Sequence, residues 1–167
     1  ETKLKYPKNP FALQLKTTAD FINSNVNSKV YYVSMGGFDT HNAQENRQNR
    51  LLDVYSKSME VFVKDLEQND TFKDTLIITF SEFGRRVEQN GSEGTDHGAA
   101  NNVFIIGKNL KKQGFYNEMP DLSNLDKNGD LKYTVDFREI YATVLDKWLE
   151  VDDQTILNKS FSKLDFI

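Results

Sequence analysis

Two apolar runs constrain the fold of this chain more than any other feature: TLIITF at residues 75–80 and NVFIIG at 102–107. Neither alternates apolar with polar residues. Unbroken runs of this length suit strands covered on both faces, as in a parallel sheet. A third run, KVYYVSM at 29–35, reads as a strand ended by Gly36-Gly37. Helical patterns separate these runs. Asn9 can cap a first helix and Pro10 suits its first position, with Phe11, Leu15, Ala19 and Ile22 at helical spacing. A long helix is expected over about 43–68, with Leu51, Tyr55, Met59, Phe62 and Leu66 as its apolar stripe. A last helix is expected over 137–149, with Phe137, Ile140, Tyr141, Val144, Leu145 and Trp148 on one face. DKNGD at 126–130 is turn chemistry. The order predicts an α/β fold: a layered, mostly parallel sheet flanked by helices.

The 167 residues suffice for one domain, read here as 1–167, with a real core. The net charge of −4 argues against a nucleic-acid partner held by phosphate contacts. No apolar run is long enough to span a bilayer. The absence of cysteine excludes disulfides, thiolate metal sites and a Cys nucleophile. The opening ETKLKYPKNP carries no initiating Met, as expected of a fragment or a processed chain.

Both histidines lie beside carboxylates in glycine-rich loops: GGFDTH at 36–41 and GTDHG at 94–98. GGFDTH follows the expected strand 29–35, and SEFGRR at 81–86 follows the strand 75–80. If those strands are parallel, both motifs fall on the edge of the sheet where ligands bind. The long polar loop 81–101 can bring GTDHG to the same edge. Asp39, His41, Glu82, Asp96 and His97 combine oxygen and imidazole donors, a set suited to zinc, manganese or iron and poorly suited to calcium. Such an inventory fits a metal-dependent hydrolytic site. Arg85 and Arg86 offer planar forks for a phosphate or sulfate group.

Each residue also has a plain structural reading. Asn42 and Glu45 have capping-box spacing, so this loop can simply start a helix. Glu82 can serve as an ion-pair partner, Asp96-His97 as a hydrogen-bonded loop pair, and Arg85-Arg86 as ion-paired surface cations. NLDKNGD is no EF-hand, because Val135 stands where the twelfth-position Glu is needed.

Four segments, VYYVSMGGFDTHNAQ, TLIITFSEFGRR, GTDHGAANNVFIIG and VDFREIYATVLDKWL, resemble in order the signature segments of the bacterial "domain of unknown function 1501" family. That family is allied to the alkaline-phosphatase-like superfamily, with arylsulfatases and cofactor-independent phosphoglycerate mutases as distant relatives. The resemblance spans about residues 6–150 and covers the carboxy-terminal part of the family. It implies an alkaline-phosphatase-like partial domain and export to the periplasm or cell surface. It also implies a nucleophile on a strand upstream of Glu1. Asp39 and His41 look like the ligands of one metal, although the spacing here is D-x-H where phosphatases more often show D-x-x-x-H. Ser81-Glu82-Phe83-Gly84 looks like an S/T-D-H-G strand end in which Glu82 replaces the Asp and Phe83 removes the imidazole. His97 looks like the late His ligand, with Asp96 ligating or orienting it. These departures leave open a single metal or none. Asp136 is placed to cap the last helix, and Arg138 to reach the site or pair with an acid.

Two functions follow as expectations. One is a metal-dependent hydrolase of phosphate or sulfate esters, with a small anionic ester as substrate. The other is a non-catalytic module that binds a ligand or glycan on a degenerate phosphatase-like scaffold.

Overall fold

A computed structural model describes residues 2–167 of the chain. It contains the helices α1 (Pro10–Asn23), α2 (Gln44–Gln68), α3 (Phe137–Thr143) and α4 (Asp153–Leu157). Its strands are β1 (Leu76–Thr79), β2 (Gly84–Arg85), β3 (His97–Gly98) and β4 (Phe104–Gly107). The chain divides into two compact units. One holds the chain through Leu76 together with Glu88–Asp96; the other holds Ile77–Val87 and His97–Ile167. No helix among the described residues is long and apolar enough to cross a membrane.

The first unit is built on the α1–α2 pair. Asn9 caps α1 by accepting from the Ala12 amide at 2.8 Å, and Pro10 occupies the first turn, where its missing N–H is not needed. Phe11, Ala12, Leu15 and Ala19 of α1 are buried, as are Met59, Phe62 and Leu66 of α2. Phe11 also stacks on Tyr55 with ring centroids 6.0 Å apart. The buried Asp65 of α2 accepts from the Tyr6 hydroxyl at 2.9 Å and from the side-chain amides of Asn69 at 3.1 Å and Asn23 at 3.4 Å. Burial and the adjacent carboxylate push the Tyr6 hydroxyl pKa up, so this tyrosine stays a phenol.

The second unit holds two separate two-stranded ladders. β1 pairs with β4, and β2 pairs antiparallel with β3. In the DKNGD turn, Asp126 Oδ1 accepts from the Asn128 and Asp130 amides at 2.8 and 2.9 Å, and Gly129 takes φ +82°. Asp136 starts α3 with a reciprocal capping box to Glu139. The expected single helix over 137–149 divides: α3 ends at Thr143 and a π-helical turn continues over Val144–Trp148. Arg138 forks onto the Asp136 carboxylate, which is thereby held at a pKa of about 2.

The layered, mostly parallel sheet expected from the sequence is not what the described residues form. Their sheets have two strands each, and residues 29–35 belong to no strand. A strand exists only through its ladder, and apolar composition alone does not supply a partner. Val30 and Tyr32 stand 67% and 78% exposed, so KVYYVSM is not a buried strand. The runs at 75–80 and 102–107 do form strands, shortened to 76–79 and 104–107. Phe80, just past the first strand, and Phe104, which opens the second, are exposed, and the other strand residues are only half-buried, so the runs lack the two-faced cover that an unbroken apolar run suggests. With no strand at 29–35, the shared sheet edge expected for GGFDTH and SEFGRR does not exist in that form.

Candidate metal centre

The GGFDTH turn leads into α2 through two left-handed positions. Gly37 has φ +102°, and a Cβ there would meet the Leu51 side chain at 3.3 Å. Ala43 takes φ +39° as the residue before α2, a strained conformation for a side chain with a Cβ. No side chain caps this helix, so the Asn42–Glu45 capping box expected from spacing is not formed. The chain segment 88–96 does that work instead. Ser92 O accepts from the Ala43 amide at 3.1 Å and Glu93 O from the Gln44 amide at 3.0 Å. These carbonyls satisfy donors that a helix start otherwise leaves open.

The same docking brings Asp96 to His41. Gln44 Oε1 accepts from the amide and hydroxyl of Thr95 at 2.7 and 2.8 Å. Gly94 passes so close that an added Cβ would lie 2.4 Å from the His41 carbonyl. Asn90 ties the loop together. Its Oδ1 accepts from the Ser92 and Gly94 amides at 2.9 and 3.1 Å, and its Nδ2 donates to His41 O at 3.0 Å.

Both ring nitrogens of His41 consequently face carboxylates. Nε2 is 2.9 Å from Asp39 Oδ1, and Nδ1 is 3.4 Å from Asp96 Oδ1. All three side chains are at least half exposed. Exposed ion pairs contribute only about 0–1 kcal/mol, so this grouping is poorly explained as a device for stability. Its donor chemistry fits a borderline divalent ion. Donors that hold such an ion at about 2.0–2.2 Å lie roughly 3 Å apart, which is the separation of Asp39 Oδ1 and His41 Nε2. The opposite nitrogen is then the one Asp96 orients, the usual arrangement of a carboxylate behind a metal-bound imidazole. The geometry therefore separates two carboxylates that the sequence left joined: Asp39 faces Nε2 of His41 and Asp96 faces Nδ1.

The remaining candidates lie in the second unit. Glu82 is exposed between β1 and β2. Arg85 and His97 are partners in the β2–β3 ladder. The Phe83 ring stacks on the His97 imidazole, with centroids 3.7 Å apart and planes 7° from parallel. The Arg85 guanidinium carbon is 5.1 Å from the centroid of the same Phe83 ring. Arg86 lies 3.5 Å from Asp130 Oδ1, so its charge has a partner. Arg138 pairs with Asp136, the acid-pairing alternative expected for it.

Sequence reasoning passed over Asn90 and Gln44. Neither belongs to a periodic pattern, and their role is to receive and donate hydrogen bonds in a loop. The only signal available was the concentration of Asn, Ser and Gly in QNGSEG.

The four ordered motifs and the Asp-x-His turn have a counterpart among known families. The family described as "Protein of unknown function (DUF1501)" matches residues 21–161, and the chain belongs to it. No curated protein and no solved structure matches the chain.

Proposed function

We propose that this chain is a metal-dependent hydrolase domain acting on phosphate or sulfate esters. Asp39 and His41 ligate the ion, and Asp96 orients His41. The observation that carries this reading is the bracketed imidazole: His41 with Asp39 at 2.9 Å on one nitrogen and Asp96 at 3.4 Å on the other. A bound divalent ion would supply an activated water and charge stabilisation at the ester oxygens. Arg85 offers a planar fork suited to a phosphate or sulfate group. Kinship with the alkaline-phosphatase-like superfamily, and export from the cell, belong to this proposal on the order of the motifs alone.

The test is hydrolysis of aryl phosphate and aryl sulfate esters by the purified protein loaded with zinc or manganese, before and after a chelator. The proposal expects turnover that the chelator abolishes and His41→Ala removes. Metal-loaded protein that hydrolyses neither ester contradicts it. That outcome would favour the second reading, a ligand- or glycan-binding module. Phe83 supports the second reading, because it stands where an imidazole ligand would complete a phosphatase-like set.

A further inference from the structure

Asparagine stands directly before glycine at Asn90-Gly91 and at Asn128-Gly129. Such a pair is open to an internal reaction, because the glycine amide reaches the asparagine side chain with no Cβ in its way. The fold holds the two pairs differently. At Asn128-Gly129 the glycine amide is tied: Gly129 donates to Asp126 O at 3.1 Å and closes the turn at φ +82°. The Gly91 amide donates no hydrogen bond among the described residues. Gly91 is also exposed, with nothing within 4 Å of the place its Cβ would take. The side chain beside it is held. Asn90 Oδ1 accepts from the Ser92 and Gly94 amides at 2.9 and 3.1 Å. These bonds fold the carboxamide over the backbone that carries the Gly91 nitrogen. Two backbone N–H groups on one carbonyl oxygen also stabilise the charge that forms there when a nucleophile adds to its carbon.

We propose that Asn90-Gly91 is a self-modification site, where the loop converts its own asparagine to aspartate or isoaspartate and so unlatches from the start of α2. A solvent base takes the Gly91 amide proton, and the nitrogen forms a bond to Asn90 Cγ. The Cγ–Nδ2 bond breaks, and Nδ2 takes a proton from solvent and leaves as ammonia. Water then opens the cyclic imide. Opening at one carbonyl leaves aspartate; opening at the other leaves isoaspartate, with the main chain running through Cγ. The net change is a water gained and an ammonia lost.

The product cannot hold the loop as Asn90 does. Nδ2 donates to His41 O at 3.0 Å and to Asp96 Oδ1 at 3.4 Å. A carboxylate oxygen in its place faces two acceptors with no proton to give. The segment 88–96 receives the Ala43 and Gln44 amides through Ser92 O and Glu93 O, so these contacts loosen with it. On the metal reading, the same release takes Asp96 away from His41. The modification itself does not depend on that reading.

The experiment ages the purified metal-free protein in mildly alkaline buffer, folded and in urea, and follows residues 90 and 128 by peptide mapping with mass spectrometry. In urea the two Asn-Gly pairs set a reference ratio of rates. In the folded protein the ratio should shift toward Asn90 by about tenfold, a fraction of what one such donor contributes in an active site. Gly91→Ala should fold as wild type, since its Cβ meets nothing, and should suppress conversion at residue 90 while leaving residue 128 unchanged. The converted fraction, separated by its added negative charge, should exchange the Ala43 and Gln44 amides about tenfold faster than the unconverted protein. A folded ratio no higher than the ratio in urea overturns the site. So does conversion at residue 90 that Gly91→Ala leaves as fast. Unchanged exchange at Ala43 and Gln44 in the converted fraction overturns the unlatching.

Discussion

Replacing Asn90 with alanine should uncouple the strength of metal binding from the stability of the fold. Asn90 makes three well-formed hydrogen bonds: from the Ser92 and Gly94 amides to its Oδ1, and from its Nδ2 to the His41 carbonyl. A net contribution of about 0.5–1.5 kcal/mol per bond applies, with the lower half appropriate to an exposed loop. Three bonds at that level amount to about 2 kcal/mol of loop order. None of them lies in the α1–α2 core, so cooperative unfolding should move little. If Asp96 reaches His41 only because this loop is ordered, ligand binding must restore that order in the variant. About 2 kcal/mol corresponds to a roughly 30-fold weaker zinc affinity. Asn90→Asp keeps the acceptor for both amides and should recover part of the loss. The assays are zinc calorimetry, thermal unfolding of the metal-free protein, and hydrogen exchange at Ser92 and Gly94. Zinc affinity within twofold of wild type, alongside accelerated exchange at those amides, would refute the reasoning, because loop order would then be irrelevant to the site.

Asp65→Ala should destabilise the first unit by roughly 1–3 kcal/mol in urea unfolding, since it leaves the half-buried Tyr6 hydroxyl without its acceptor. The Tyr6 hydroxyl has a folded-state pKa above its unfolded value of about 10, so its contribution is intact below pH ~10 and is lost as pH rises further. Tyr6→Phe should flatten that alkaline loss. Asp136 behaves in the opposite sense. Its pKa of about 2 lies below the unfolded value of about 3.9, so its stabilisation is present above pH ~4 and disappears as pH falls toward 2. Asp136→Asn should remove this part of the acid transition in pH-dependent unfolding while keeping an N-cap residue. Gly84→Ala should disrupt the β2–β3 ladder, since its Cβ would meet Ala100 O at 1.7 Å, and should be detected by loss of exchange protection there.

Local chemistry was legible in this sequence where a few neighbouring residues decide the outcome. Asn9-Pro10 announces the start of α1, Asp136 with Glu139 the start of α3, and Asn128-Gly129 the turn between Leu125 and Leu131. The paired Asp39 and His41 were readable for the same reason, being two residues apart. The sheet was not. TLIITF and KVYYVSM look alike as apolar runs, yet only the first finds a ladder, and that depends on a partner far along the chain. The start of α2 was placed within a residue, but its cap was misread, because backbone carbonyls of Ser92 and Glu93 receive its first amides and backbone groups carry no sequence signature. The same docking decides which side of His41 each carboxylate takes. Spacing could nominate Asp39 and Asp96 but not the ring nitrogen that each faces.

The account stands on one divalent ion held at Asp39 and His41, so zinc titration of the metal-free protein tests it most directly. Wild type should bind one equivalent, Asp39→Ala and His41→Ala should bind none, and Asp96→Asn should bind roughly 10–100-fold more weakly. Zinc binding unchanged in His41→Ala, or absent from correctly folded wild type, would contradict the central claim.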